Sequence, residues 1–287
     1  MITRRTLRRT HLLRPDRHLN NLYTYCLAVL ARKFDVRVHA VVVMSTHEHL
    51  IVTDVRGQLP RFLQELHRLL ALGIKALRKW EGAVWDHEKT SVVELCTPAA
   101  VVEKIAYVMA NPVAAGLVHR AEQWPGVTVR AEELGRASHT ATRPEFYFDP
   151  DNPAWPASVV LELVMPVLPM DDTDVRAAVA CEVERAETVA QQKLRARGWK
   201  CLDARRVAKL SPFDRAKSFE PLRKLNPTFA VGRGQREAFF HAVAQLRAFR
   251  DGYRRALQRW RGLARDALFP HGTWLMKSLH CVEIVAP

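Results

Sequence analysis

The stretch that decides the fold reads V-R-V-H-A-V-V-V-M at residues 36–44, S-T at 45–46 and H-E-H-L-I-V-T-D at 47–54. Its first part is dominated by β-branched residues, which is typical of a strand. The Ser-Thr pair interrupts the run, and the last part predicts a second strand, which Gly57 ends. The segment therefore predicts two consecutive strands joined by a short break.

Helical patterns lie on both sides of these strands in the sequence. Asp16 can cap a helix whose apolar residues keep helical spacing up to Phe34, and an amphipathic helix is predicted from Leu59 to about Trp80. A third helix is predicted from Thr97-Pro98 to about Ala110, with a hydroxyl at its cap and proline in its first turn. Asn111-Pro112 is expected to stop it, because the residue before a proline is pushed out of the α region.

Two further strands complete this pattern. Residues 2–13 alternate weakly and predict a basic strand, and residues 91–95 predict a short one. The order is then β-α-β-β-α-β-α, which predicts an α+β domain with a mostly antiparallel sheet and helices on one face.

The second half of the chain predicts a different organisation. Residues 144–169 hold six of the 16 prolines, which favours an extended linker or a wrapping arm. Long helices are predicted at about 172–197 and 235–260. We therefore divide the chain into an N-terminal domain at 1–143, a proline-rich arm at 144–170 and a basic, mostly helical extension at 171–287.

The positive charge is confined to one part of the sequence. The chain has 44 Lys and Arg against 30 Asp and Glu, a net charge of +14, and residues 193–261 alone hold 19 basic and 5 acidic residues. This surplus of 14 equals the whole net charge, and it indicates a polyanionic partner such as a nucleic acid. Solvated arginine-rich helices that bind nothing are the alternative interpretation.

Composition excludes several classes of protein. Apolar residues make up 48% of the chain, which is enough for a core, but apolar runs such as 41–44 are far below the ~18 residues of a membrane span. No signal-peptide pattern follows the N-terminal arginines, so we expect a cytoplasmic protein without a membrane partner. The five cysteines form no Cys-x-x-Cys pair, which predicts buried free thiols.

His47-Glu48-His49 is the first candidate for chemistry. On a strand, residues i and i+2 project to the same face, so the two imidazoles would form half of a divalent metal site. Two structural, half-exposed histidines are the alternative, since a short motif of this kind arises readily by chance.

Tyr107 and Asn111 are the second candidate. They lie four residues apart, on one face of the third helix, and a carboxamide oxygen is a suitable ligand for Mg²⁺ or Mn²⁺. A core tyrosine and a helix-stop asparagine are the alternatives. Together the pieces fit one reaction, in which a divalent ion held by His47, His49 and Asn111 makes a phosphodiester reactive toward the tyrosine hydroxyl.

Three stretches resemble a known family, the single-tyrosine HUH transposases, and in particular the REP-associated tyrosine transposases. They read V-H-A-V-V-V-M-S-T-H-E-H-L-I-V-T-D at 38–54, L-P-R-F-L-Q-E-L-H-R at 59–68 and Y-V-M-A-N-P-V-A-A-G-L-V at 107–118. The opening R-R-T-L-R-R-T-H-L-L-R-P-D at 4–16 is also similar, so the resemblance covers about the first 130 residues. The motif L-F-P-H-G-T-W at 268–274 resembles extensions of some members and is much less specific.

This resemblance implies a function and a fold. It implies that His47, His49 and Asn111 bind Mg²⁺ or Mn²⁺ and that Tyr107 is the nucleophile. The implied fold is a ferredoxin-like (palm-like) antiparallel sheet. The implied substrate is single-stranded, hairpin-bearing DNA, cut to leave a 5′-phosphotyrosine and a 3′-hydroxyl, by an enzyme that acts as a monomer or a homodimer.

Two residues depart from the family pattern. Glu48 stands where the family usually has an apolar residue, and Thr46 stands where asparagine often precedes the first histidine. On a strand Glu48 is expected to face away from both histidines, so the metal ligands should be unaffected, although the packing on its own face could be disturbed.

Arginines at both ends of the chain are candidate DNA contacts, namely Arg4, Arg5, Arg8, Arg9, Arg247, Arg250, Arg254 and Arg255. The aromatic residues of the basic helix, such as Phe239 and Phe249, are predicted to be core rather than base-stacking platforms. Two other functions stay open, a repeat-DNA-binding regulatory protein without strand transfer and an HUH nickase or replication initiator.

Overall fold

The computed structural model describes residues 1–88, 90–218 and 227–285. Part of the basic stretch, residues 219–226, therefore lies outside the described residues.

A four-stranded antiparallel sheet forms the centre of the N-terminal half. Its strands are β1 (Ile2–Arg5), β2 (Val36–Val43), β3 (His47–Asp54) and β4 (Ser91–Val92). They lie in the order β2-β3-β1-β4, and every neighbouring pair is antiparallel. The predicted α+β class with an antiparallel sheet is confirmed, whereas the predicted basic strand over 2–13 is shorter and ends at Arg5.

The three predicted helices of this half are present, as α1 (Arg17–Phe34), α2 (Leu59–Arg78) and α3 (Pro98–Ala114). Asp16 caps α1, since its carboxylate accepts a hydrogen bond from the Leu19 amide at 2.9 Å. Thr97 caps α3 in the same way through the Ala100 amide, at 3.1 Å. The capping residues read from the sequence therefore set both helix starts.

The helices lie on both faces of the sheet, which corrects the prediction of helices on one face. Glu48 points toward α2, where it contacts His67, and its two neighbours in β3 point the opposite way, toward Asn111 of α3. Successive side chains of a strand point to opposite faces, so β3 directs polar and apolar side chains to both faces of the sheet. A helix on each face covers them. α1 packs beside α2, so α3 alone among these three helices covers the histidine face.

The predicted helix end at Asn111-Pro112 is also wrong. α3 continues to Ala114 with Pro112 inside it. Proline lacks an amide hydrogen and so removes one helical hydrogen bond, but here the helix ends two residues later and little of it depends on that bond. Asn111 is therefore held as part of the helix, and its carbonyl accepts from the Ala115 amide at 2.9 Å.

The predicted strand at 91–95 divides at Val93. β4 joins the main sheet, whereas β5 (Glu94–Leu95) pairs in parallel with β8 (Phe229–Ala230). The proline-rich segment packs against the N-terminal half, since β6 (Ser138–Thr142) pairs with β7 (Ser158–Glu162), and the Tyr25 hydroxyl donates to the Pro156 carbonyl at 2.8 Å.

The second half is built mainly from helices, α4 (Asp172–Ala196), α5 (Ala204–Lys209), α6 (Arg236–Arg261) and α7 (Trp274–His280). The two long helices agree with the predicted ranges to within one or two residues. α4 packs on α3, and the main buried cluster reaches as far as Val207. A second, small cluster around Phe269 lies beneath α6. The division of the chain into three folding units stays a prediction. The main buried cluster contains residues from all three predicted parts.

Two predictions from composition can be compared directly with the structure. All five thiols are free, but only Cys26 is buried, and Cys96, Cys181 and Cys281 are exposed, so the expectation of buried thiols is wrong for most of them. Within residues 1–88, 90–218 and 227–285, no helix combines the length and apolarity that crossing a bilayer requires.

Candidate active site

The strand β3 presents two imidazoles to the inner surface of α3. Nε2 of His47 lies 3.3 Å from Oδ1 of Asn111, and Nε2 of His49 lies 3.3 Å from Nδ2 of the same side chain. The two imidazole rings are 4.9 Å apart, edge to face. The structure thus brings together three side chains that are up to 64 residues apart in sequence.

Tyr107 lies one helical turn before Asn111 and extends the same group. Its ring is 5.4 Å from the His49 ring, at an interplanar angle of 73°. The side chain is 40% exposed, whereas His49 and Asn111 are 4% and 7% exposed. The candidate ligands are therefore sheltered, and the candidate nucleophile is open to a large substrate.

Each imidazole has one threonine hydroxyl within hydrogen-bond distance of its Nδ1 atom, on the side of the ring away from Asn111. Thr46 Oγ1 is 3.0 Å from Nδ1 of His47, and Thr3 Oγ1 is 2.8 Å from Nδ1 of His49. A proton on Nδ1 would be donated to the threonine and would leave the Nε2 lone pair on the side of Asn111. Thr3 reaches this position because β1 pairs with β3 in the register that puts Thr3 opposite His49.

These donors fit a small, hard divalent ion. Adjacent ligands of an octahedral ion with bonds of ~2.1 Å are ~3 Å apart, close to the 3.3 Å between Nε2 of His47 and Oδ1 of Asn111. Two imidazoles and an amide form a neutral set, which suits exchangeable Mg²⁺ or Mn²⁺ better than a structural zinc. Among the described residues, no three His, Cys, Asp or Glu side chains are grouped to hold a metal, so a metal at this position would need the amide as a third ligand.

Lys104 adds a positive charge next to the tyrosine. It lies one turn before Tyr107 on α3, and its Nζ is 5.6 Å from the centre of the Tyr107 ring. A cation at this distance interacts with the face of the ring and would attract a phosphate bound nearby. We did not predict roles for Lys104 or Thr3 from the sequence. The spacing of three residues between Lys104 and Tyr107 could have indicated a role for the lysine. The position of Thr3 beside His49 depends on strand register, which the sequence does not show.

The opposite face of β3 holds a buried polar cluster. Glu48 is fully buried, and its Oε1 accepts a hydrogen bond from Nε2 of His67 at 2.8 Å. Burial, and then the negative charge of Glu48, raises the pKa of Tyr23 well above its ordinary value. Trp85 donates from Nε1 to the His67 carbonyl at 2.7 Å. Glu48 faces away from the histidines as predicted, and His67 bonds one of its carboxylate oxygens, whereas the buried Oε2 has no hydrogen-bond partner among the described residues.

The predicted N-terminal DNA contacts do not lie together. Arg5 is the cross-strand neighbour of His47, on the histidine face, whereas Arg4 is opposite Glu48. The Arg4 guanidinium donates to the backbone carbonyls of Asp86 and Glu88. The sheet therefore separates Arg4 from the candidate ligands and leaves Arg5 beside them.

The other predicted contacts lie at the surface. Arg8 is exposed, and the partly buried Arg9 donates to the carbonyl and hydroxyl of Ser218. The predicted contacts of the basic helix, Arg247, Arg250, Arg254 and Arg255, are all exposed on α6.

Comparison with known proteins gives no match for this chain. No protein-family model matches its sequence, and neither a curated protein nor a solved structure is significantly similar. The functional argument therefore rests on the residues of the site itself.

Proposed function

We propose that this protein cleaves and rejoins DNA strands as a metal-dependent, single-tyrosine enzyme of the transposase type. One observation carries the proposal, the convergence of His47, His49, Asn111 and Tyr107 on one face of the sheet. The 40% exposure of Tyr107 argues against a core tyrosine, and Asn111 lies inside its helix rather than at its stop.

The proposed reaction is a transesterification at phosphorus. The Tyr107 oxygen bonds to the phosphorus, the bond from phosphorus to the 3′-oxygen breaks, the phenolic proton passes to solvent and the leaving oxygen takes up a proton. The products are a 5′-phosphotyrosine and a free 3′-hydroxyl. Attack by a 3′-hydroxyl on the phosphotyrosine reverses the step, so strands can be rejoined without ATP.

The side chains around Tyr107 have distinct roles in this proposal. Mg²⁺ or Mn²⁺, bound by His47, His49 and Asn111, would offset the negative charge that develops on a non-bridging phosphate oxygen. Thr3 and Thr46 orient the two imidazoles. Lys104 stabilises negative charge near the phenol, and Arg5 is placed to contact a phosphate beside His47.

The strand arrangement supports the finer fold assignment. In a ferredoxin-like sheet the strands of a β-α-β-β-α-β unit lie in the order 4-1-3-2. β1 to β4, with α1 and α2 between them, have this order and are antiparallel throughout. We infer a palm-like domain of this kind, to which α3 adds a helix on the open face of the sheet.

We infer that the partner is single-stranded DNA that carries a hairpin, and a homodimer is compatible with the exposed position of Tyr107. A cytoplasmic location, where DNA would be accessible, stays a prediction from the sequence. The basic residues of 193–261 would supply affinity rather than cleavage chemistry.

The proposal is tested by incubating the full chain with end-labelled, hairpin-bearing single-stranded oligonucleotides, with Mn²⁺ or with a chelator. We expect a covalent protein–DNA band on a denaturing gel only with the metal, and a released 3′ end that a polymerase can extend. DNA binding without any covalent product would contradict the proposal and favour the regulatory protein. Cleavage without joining to a second strand would favour the nickase.

A further inference from the structure

The surface of α6 carries several large aromatic side chains that remain well exposed to solvent. Phe239 and Phe249, predicted from the sequence to be core, are 46% and 38% exposed, and Phe240 is 57% exposed. The buried side chains of α6 are Ala242 and Ala256. The rings of Phe239 and Phe240 are 5.9 Å apart, so they form a contiguous exposed apolar patch among polar residues, which is a feature of binding surfaces.

Phe240 lies in a line of exposed arginines. Arg236, Phe240, Arg247 and Arg254 follow one another at intervals of four and seven residues, which places them on one face of the helix, and all four are exposed. At 1.5 Å per residue this line is ~27 Å long. We call these four residues the basic-aromatic ridge. The Arg236 guanidinium is 5.7 Å from the Phe240 ring centre, and Arg254 also pairs with Asp251 at 3.1 Å.

We propose that the basic-aromatic ridge binds single-stranded DNA, with an unpaired base stacked on Phe240 and the arginines on the flanking phosphates. Stacking requires a base whose face is open, which a duplex hides within its stack. The proposal rests on the proposed function only for the identity of the partner as DNA, and it needs neither the metal nor Tyr107.

Charge argues against a second copy of this chain as the occupant. The sequence of α6 contains seven arginines against Glu237 and Asp251, so two such helices placed face to face would repel each other. The same positive charge would attract a polyanion such as DNA. Because Phe240 lies between Arg236 and Arg247, a bound strand could stack a base on the ring while its phosphates contact the two arginines.

The test compares single-stranded and duplex binding by the full chain in a Tyr107→Phe background, which prevents cleavage. Fluorescence anisotropy with an oligothymidine of ~20 nucleotides and a duplex of equal length gives the two affinities. We expect Phe240→Leu to weaken single-strand binding by about fivefold to a hundredfold and to leave duplex binding nearly unchanged, because leucine keeps apolar bulk but has no ring face. Phe240→Trp should restore binding.

Phe249→Leu is the matched control, since Phe249 is exposed on the same helix but stacks on Tyr253, away from the ridge. It should leave both affinities unchanged, whereas Arg247→Gln should weaken both and reduce the salt dependence. Unchanged single-strand binding by a folded Phe240→Leu protein would overturn the proposal. Equal losses of affinity for the single strand and the duplex would also overturn it. So would a change from a dimeric parent to a monomeric Phe240→Leu protein, because the ring would then belong to a dimer interface. Adduct formation by the protein with Tyr107 intact is scored separately, so failure of the cleavage proposal is distinguishable.

Discussion

Residues 47–49 of β3 place polar side chains inside the protein on both faces of the strand, but the surroundings of the two faces differ. On one face Glu48 is matched by His67 within the protein, and on the other the two imidazoles are directed at the amide of Asn111 with an exposed tyrosine beside them. Glu48 lies in the packed interior and contributes to the fold, although its Oε2 has no hydrogen-bond partner among the described residues. The two imidazoles and the amide instead converge beside an exposed tyrosine, as the proposed function requires. Substitutions on the two faces should therefore fail in different ways.

The largest effect is expected on the histidine face. His49→Ala removes one of three candidate ligands, and we expect the single-turnover cleavage rate to fall roughly a thousandfold, because the bound ion offsets several kcal/mol of transition-state charge. Because His49 is buried and hydrogen-bonded to Thr3, the variant should also lose about 1–3 kcal/mol of stability, so the rate is measured on protein shown to be folded. An active His49→Ala protein would show that this face does not hold the catalytic ion.

The next largest effect is expected on the opposite face, and it concerns stability. His67→Ala leaves Glu48 buried without its hydrogen-bond donor, which should lower the free energy of unfolding by about 3–5 kcal/mol. Denaturant titration measures this loss, and Mn²⁺ affinity of the folded protein should be retained.

A double variant sharpens the same comparison. Glu48→Leu combined with His67→Leu removes both partners of the buried pair, so it should recover most of the stability that His67→Ala loses. No recovery in the double variant would mean that the pair itself is not the source of the loss.

A smaller effect is expected from the hydroxyls behind the imidazoles. Thr3→Val and Thr46→Val keep the side-chain shape but remove the hydrogen bond to Nδ1, and each should weaken Mn²⁺ binding about tenfold. Calorimetric titration of the metal gives the affinity directly. Thr53→Val, a threonine of β3 whose hydroxyl contacts His39 instead, is the matched control and should bind Mn²⁺ normally.

The smallest effect is expected at Lys104. Lys104→Met removes a positive charge beside Tyr107 and should slow cleavage by about fivefold, the ~1 kcal/mol of Coulomb energy between charges several ångströms apart in water, while Mn²⁺ affinity stays the same. Lys104→Arg keeps the charge and should retain most of the rate. A parallel loss of metal binding in Lys104→Met would place this residue in the ligand shell rather than beside the nucleophile.

The sequence predicted most of the elements because their signals are local. Asp16 and Thr97 begin their helices as expected, and the alternation of β3 correctly placed Glu48 opposite the two histidines. The helix end at Pro112 was predicted wrongly, since one lost hydrogen bond near a helix end costs less than the packing of that turn.

What the sequence did not reveal depends on tertiary structure. The position of Thr3 behind His49 follows from the register of β1 on β3, and the position of α3 on the open face follows from packing. The exposure of Phe239 and Phe249 could not be read from their helical spacing, because spacing defines a face without showing what covers it.

The central claim is that Tyr107 is the residue that becomes attached to DNA. The most direct measurement is mass-spectrometric mapping of the adduct that the full chain forms with a hairpin oligonucleotide and Mn²⁺, after nuclease and protease digestion. We expect a nucleotide on Tyr107 and on no other tyrosine, and no adduct from Tyr107→Phe, while Tyr253→Phe behaves like the parent. A nucleotide on any other residue, or an adduct that persists in Tyr107→Phe, would show that Tyr107 is not the nucleophile.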